Sequence, residues 1–166
     1  MLALLAWLGI RHLTDAEFWS PFAGVTFGVH ELGHLFFSYL GEWMSVAGGS
    51  LAQVLLPLAA VVYFWRVRRD PFGAAVCGAW LAMSLANLAV YIGDARAESL
   101  DLVSFSEDGA VHDWNYLLHT LGLIKQDRQI AAVVRFAGCL VLGGSVLLGG
   151  SATIRGARPA PADASA

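Results

Sequence analysis

Pro21-Phe-Ala-Gly-Val-Thr-Phe-Gly-Val-His30-Glu31-Leu-Gly-His34-Leu-Phe-Phe-Ser-Tyr-Leu40 decides how the rest of this chain is read. The stretch is almost wholly apolar and close to the roughly 20 helical residues that cross a hydrocarbon core. In lipid the backbone must satisfy its own hydrogen bonds, so the segment is expected to be a helix beginning at Pro21 and ending near Gly41. On a helix, positions i and i+4 lie one above the other, which places the His30 and His34 imidazoles on one face. Glu31 is one residue on and projects differently. Two histidines and a carboxylate are costly at membrane depth, and ionisable groups there mark a functional site. The H-E-x-x-H spacing makes that site a zinc site, with two imidazole ligands and Glu31 as general base.

The composition supports a membrane chain. Of 166 residues, 57% are hydrophobic and 14% charged, with a mean hydropathy of +0.62; a soluble domain carries about a quarter charged residues. Beside Pro21–Leu40, the stretches Ser50–Trp65, Pro71–Ile92 and Ile130–Gly150 are long and apolar. The expected fold is an all-α, polytopic membrane helix bundle of about four main transmembrane helices. An N-terminal apolar element (residues 1–13) and one amphipathic extramembrane helix (His112–Ile124) complete it. Residues 1–154 form one domain, and 155–166, rich in Ala and Pro, are expected to be disordered.

Arg66, Arg68, Arg69, Arg155 and Arg158 flank spans at what the positive-inside rule makes the cytoplasmic side. Gly41–Gly49 and the polar stretch 94–129 then belong to the other side, and His30–His34 lies toward it. Cys77 and Cys139 have no partner at ligand spacing and are expected to be inert thiols. No basic run with interleaved aromatics points to nucleic acid.

Several local signals bear on the site. Gly48-Gly49-Ser50 is expected to interrupt the chain, with Ser50 capping the next span and the break lining a cavity. Thr14–Glu17 has the spacing of a capping box. Ser84, Asn87, Tyr91 and Asp94 recur at helical spacing as one polar stripe on an apolar span. Ser145-Val-Leu-Leu-Gly149 allows close helix contact, within the bundle or between copies.

A catalytic zinc has three protein ligands and an open position. A third histidine six residues after His34 is excluded, because that position is Leu40. The carboxylates and imidazoles of Asp94, His112, Asp113, His119 and Glu42 remain as candidates, Asp94 first because it ends the polar stripe. Asn87, Gln53, His112 and Asp113 are candidate supporting or substrate-contacting residues. Gln53 is an amide in an apolar span, for which interhelical hydrogen bonding is the simpler role.

The HELGH helix, the following Gly-Gly-Ser and a later Asp on another span together resemble the site-2-protease family of intramembrane zinc metalloproteases, and also look like small bacterial membrane proteins. That resemblance implies Zn2+ on His30, His34 and a carboxylate from a later helix, placed on Asp94, with Glu31 as catalytic base. It implies a membrane-embedded protein substrate and a bacterial plasma membrane. The small size of the chain makes a regulatory membrane partner plausible. Under that reading, the Gly48–Ser50 break offers an edge for an extended substrate. A metal-binding scaffold or sensor without protease activity is the main alternative, and hydrolysis of another amide or a transporter are further ones.

Overall fold

The computed structural model describes residues 1–100 and 112–156. Among them every regular element is helical: α1 (Leu2–Thr14), α2 (Pro21–Phe37), α3 (Glu42–Val62), α4 (Pro71–Asp94), α5 (Asp113–Thr120) and α6 (Asp127–Gly156). The all-α architecture expected from the sequence is the observed one. Residues 101–111 of the polar stretch and the tail from residue 157, Arg158 included, lie outside the described residues.

Among the described residues three helices are long and apolar enough to cross a membrane: Glu42–Val67, Pro71–Asp94 and Ile124–Gly156, counting their irregular ends. The fourth expected span, α2, has 17 residues and ends in a single 3-10 turn, Ser38–Leu40. At 1.5 Å per residue it is about 25 Å long, somewhat short of the hydrocarbon thickness. Gly41, at φ +94°, makes the reversal into α3 that an L side chain resists.

Glycine placement departs from the sequence reading. Gly48, Gly49 and Ser50 do not break the chain; all three are buried inside continuous α3. They form the face on which α2 lies. A Cβ on Gly33 would strike the Gly48 carbonyl, and one on Gly48 would come 2.6 Å from the Gly33 carbonyl oxygen. The glycines therefore serve close helix approach rather than chain interruption. The extended edge expected for substrate is absent from this stretch, because its backbone is helical.

Other local signals also resolve differently. The Thr14 hydroxyl donates back to the Ile10 carbonyl at the end of α1, so no capping box starts there. Asp70, by contrast, caps α4 through its carboxylate, which accepts from the Phe72 and Gly73 N–H groups. The amphipathic helix is shorter than expected, since Gly122 (φ +68°) ends it before a separate turn at Ile124–Gln126. Arg155 and Gly156 are helical rather than part of a tail.

Helix α4 is the centre of the bundle. Ala75, Ala79, Ala82, Ala86 and Ala89 are buried at helical spacing, so α6 approaches closely along its length. Gly78 abuts Ser145, Gly138 lies against Ala82, and Gly149 against Ala75 and Leu2. Ser145–Gly149 is thus used inside the bundle. Leu5, Leu13 and Leu142 fill the layer between α1, α4 and α6. Large apolar side chains on α6, such as Val133, Phe136, Leu140 and Leu147, face outward, as a lipid-facing surface requires.

These contacts fix the directions. Gly93 meets Ala131 while Ala75 meets Gly149, so α4 and α6 are antiparallel; Phe64 beside Gly73 makes α3 and α4 antiparallel too. Arg66–Arg69 and Arg155 therefore share one end of the bundle. Helix α2 runs alongside α4, with Thr26 near Ser84 and His30 near Tyr91. The motif thus lies toward the opposite end, about one turn from where α2 and α4 stop.

Candidate metal centre

The His30 and His34 rings are 4.7 Å apart between centroids and lean over the hollow left by Gly49. A Cβ there would sit 2.6 Å from the Nε2 of each ring. The missing side chain makes room for two imidazole donors to converge. Glu31 completes a group in which one donor atom from each residue lies within 4.8 Å of the others.

The tautomers follow from the far side of each ring. The Gln53 amide nitrogen donates to the Ser84 carbonyl (3.0 Å) and to Asn87 Oδ1 (3.1 Å). Its oxygen must therefore face His30, whose Nδ1–H donates to it at 3.0 Å. His34 Nδ1–H donates to the Ser45 carbonyl at 2.9 Å. With Nδ1 protonated, each neutral ring presents a lone pair at Nε2, which is the form that binds a metal.

Asp113 closes the arrangement. Its Oδ2 is 3.0 Å from His30 Nε2 and 3.2 Å from His34 Nε2. Burial alone pushes the Asp113 carboxyl upward, and it is held below its ordinary value only where the facing Nε2 atoms carry protons that hydrogen-bond to it. An anionic oxygen facing two lone pairs repels them unless a proton on each ring, or one cation, lies between. Zinc ligands at about 2.0–2.1 Å in tetrahedral geometry stand roughly 3.3 Å from one another. The two Asp113–imidazole separations are close to that edge length, and two imidazoles with a carboxylate, from Asp113 or from the neighbouring Glu31, are the donor set a zinc ion takes.

The structure brings Asp113 to the histidines and sends Asp94 elsewhere. Asp94 Oδ2 accepts from the Ser99 and Leu100 N–H groups, both at 3.0 Å, and Oδ1 accepts from the Ser99 hydroxyl. His112 Nε2 lies 3.5 Å from Asp94, and its Nδ1 caps α5 by accepting from Asn115 N–H. Asp94 thus holds the turn that follows α4, and His112, whose Nε2 has no hydrogen-bond partner among the described residues, starts α5. Among the described residues neither contacts His30 or His34. Gln53 and Asn87 form the hydrogen-bonded support behind His30. The polar stripe of α4 does face this site, with Ser84, Asn87 and Tyr91 all in its network.

Three further contributors complete the site, and Tyr91 among them belongs to the polar stripe already marked in the sequence. Tyr91 accepts from the Asp113 N–H through its hydroxyl (3.0 Å) and so fixes the first residue of α5. Trp114 Nε1 donates to Ser50 Oγ at 3.0 Å, pinning α5 to α3 beside the glycine hollow. Ser45 acts through its backbone carbonyl, which any residue type would supply. Glu42 and His119 are exposed. Cys77 and Cys139 are free thiols, Cys139 exposed on the outer face of α6.

No known family decides the matter. The chain matches no protein-family model, no curated protein and no solved structure at a significant level. The chemistry of the site is therefore argued from its own atoms.

Proposed function

We propose that this chain is a zinc-dependent intramembrane hydrolase, most simply a metalloprotease of the site-2-protease kind its sequence resembles. His30, His34 and Asp113 would hold the metal, with Asp113 in the role that the resemblance gives to Asp94. The observation that carries the reading is the convergence of two Nε2 lone pairs and one carboxylate over the Gly49 hollow. Bound zinc supplies a water of near-neutral pKa and polarises the carbonyl that is attacked.

The chain's own residues do the rest. Glu31 is placed beside both imidazoles to take the proton from the attacking water and pass it to the departing amine as the C–N bond breaks. Gln53 and the Ser45 carbonyl hold the two rings in the metal-binding tautomer. Tyr91 and Trp114 keep α5, and with it Asp113, against α3 and α4. A helical peptide hides its carbonyls in its own hydrogen bonds, so a substrate segment must unwind before attack. The site lies about one turn from the end of α2 and α4, which suits a bond near the membrane surface. The bacterial plasma membrane remains part of this proposal on the resemblance alone, and a regulatory membrane partner on the small size of the chain.

The test is zinc per mole in purified wild type, followed by a cleavage screen with Glu31→Gln as control. Stoichiometric zinc in both, with cleavage only in wild type, supports the reading. Zinc in both with cleavage equal in both overturns the assigned base. Protein that folds and takes up no zinc on reconstitution overturns the metal site itself.

A further inference from the structure

On the flank of α4 away from His30, an open groove of about 550 Å³ runs between α4 and α6. Its floor is made of small residues, including Ala89, Gly93, Ala131 and Ala132, and two arginines, Arg128 and Arg135, line it. They are seven residues apart on one helix, so they share a face and differ in depth by about 10 Å. Both are exposed, on a helix whose neighbouring surface is apolar.

Among the described residues, most acids around these arginines are already committed. Asp127, next to Arg128 in sequence, is 1% exposed and paired with Arg96 at 3.1 Å. Asp94, at the groove's edge, is occupied by Ser99 and Leu100. On the α1–α2 loop, Asp15 is paired with Arg11, and Glu17 is the one neighbouring acid without a hydrogen-bonded side chain among the described residues. Arg135 donates one N–H to the Leu13 carbonyl at the end of α1 (3.0 Å). A guanidinium has five N–H donors, so it retains capacity for an anion.

We infer that this groove binds the phosphate headgroup of an anionic phospholipid. Arg128 stands at the level where α4 ends and α6 begins, where lipid phosphates lie beside a spanning helix. Arg135 is deeper and its long stem allows the charge to reach toward the same level. The Ala and Gly floor leaves room for an acyl chain below the headgroup. Two cations in one groove favour a lipid with net negative charge over a zwitterionic one.

The test uses the full chain in detergent, delipidated and then titrated with phosphatidylglycerol, phosphatidylcholine or inorganic phosphate, with bound lipid read by native mass spectrometry. Phosphatidylglycerol is expected to be retained preferentially. Arg128→Gln should weaken it about fivefold and the double variant with Arg135→Gln about 30-fold. Arg135→Gln also removes a contact to α1, so Arg135→Lys, which keeps the charge, should restore most of the binding. Equal retention of the two lipids overturns the inference, as do variants that bind like wild type. Displacement of phosphatidylglycerol by millimolar inorganic phosphate would show a free-anion site and overturn the lipid assignment.

Discussion

Exchanging the two candidate carboxylates one at a time separates the geometry from the sequence resemblance. In Asp113→Ala the oxygen at 3.0 and 3.2 Å from the two Nε2 atoms is gone, leaving two neutral rings and Glu31. Loss of an outer-shell partner typically weakens a metal site 10–100-fold, and loss of a charged ligand should exceed that. The expected loss in zinc affinity is therefore at least about 100-fold, or ~2.7 kcal/mol. Asp94→Ala instead removes the acceptor for the Ser99 and Leu100 N–H groups and the Ser99 hydroxyl. Charge-assisted bonds of that kind are worth about 1.5–3 kcal/mol, lost here from stability rather than from zinc binding. Zinc affinity should stay within about twofold, as for a site that shares no partner with the metal. Competition against a chromogenic chelator in detergent gives the affinities, and tryptophan fluorescence on heating gives the stabilities. Zinc lost in Asp94→Ala and kept in Asp113→Ala would refute the assignment made from the geometry.

Other substitutions probe single contacts. Gln53→Leu frees the His30 ring from its Nδ1 acceptor, so zinc should bind about 10–100-fold more weakly, by the same chelator competition. Gly49→Ala puts a Cβ 2.6 Å from both Nε2 atoms; it should lower zinc occupancy while the circular dichroism of the bundle is unchanged. Gly33→Ala drives a methyl into the Gly48 backbone and should destabilise by roughly 1–3 kcal/mol, since the opposing atoms belong to a helix that cannot rotate away. Glu31→Gln should keep zinc and lose about 10²–10⁴-fold in any hydrolysis, measured on a peptide reporter.

The fold was legible wherever apolar length and charge settled it. The apolar runs each describe one helix at a time, and each lies on a helix, though Ser50–Trp65 begins eight residues into α3 and Pro21–Leu40 gives a helix of only 17 residues. The motif histidines were legible for the same reason, since i and i+4 share a face whatever surrounds them. What sequence could not order is contact between elements. Asp113 and Asp94 are both carboxylates in the same polar stretch, and only contacts across the fold decide which one meets α2: Ser99 and Leu100 hold Asp94, while Tyr91 and Ser50 hold the start of α5. Gly48-Gly49-Ser50 misled because glycine serves two purposes. The same residues that end a helix in water allow close helix packing in lipid. Gln53 was visible as an amide out of place, but its partner emerges only once α2 lies across α3.

The glycines also explain how so short a helix as α2 can hold a metal site. Each glycine within a helix costs roughly 0.5–1 kcal/mol relative to alanine, so Gly33, Gly48 and Gly49 together forgo about 1.5–3 kcal/mol of helix propensity. Gly33 and Gly48 return it as backbone-to-backbone approach, which fixes the distance between α2 and α3. Gly49 then converts that distance into function. With α3 so near, any side chain at position 49 would occupy the space where the two Nε2 atoms converge. The rings are oriented from behind by α3 itself, through Gln53 and the Ser45 carbonyl, and met from above by Asp113 on α5. Packing and chemistry are therefore coupled at one contact. A substitution that separates α2 from α3 should lower zinc affinity and stability together, whereas Asp113→Ala should lower zinc affinity alone.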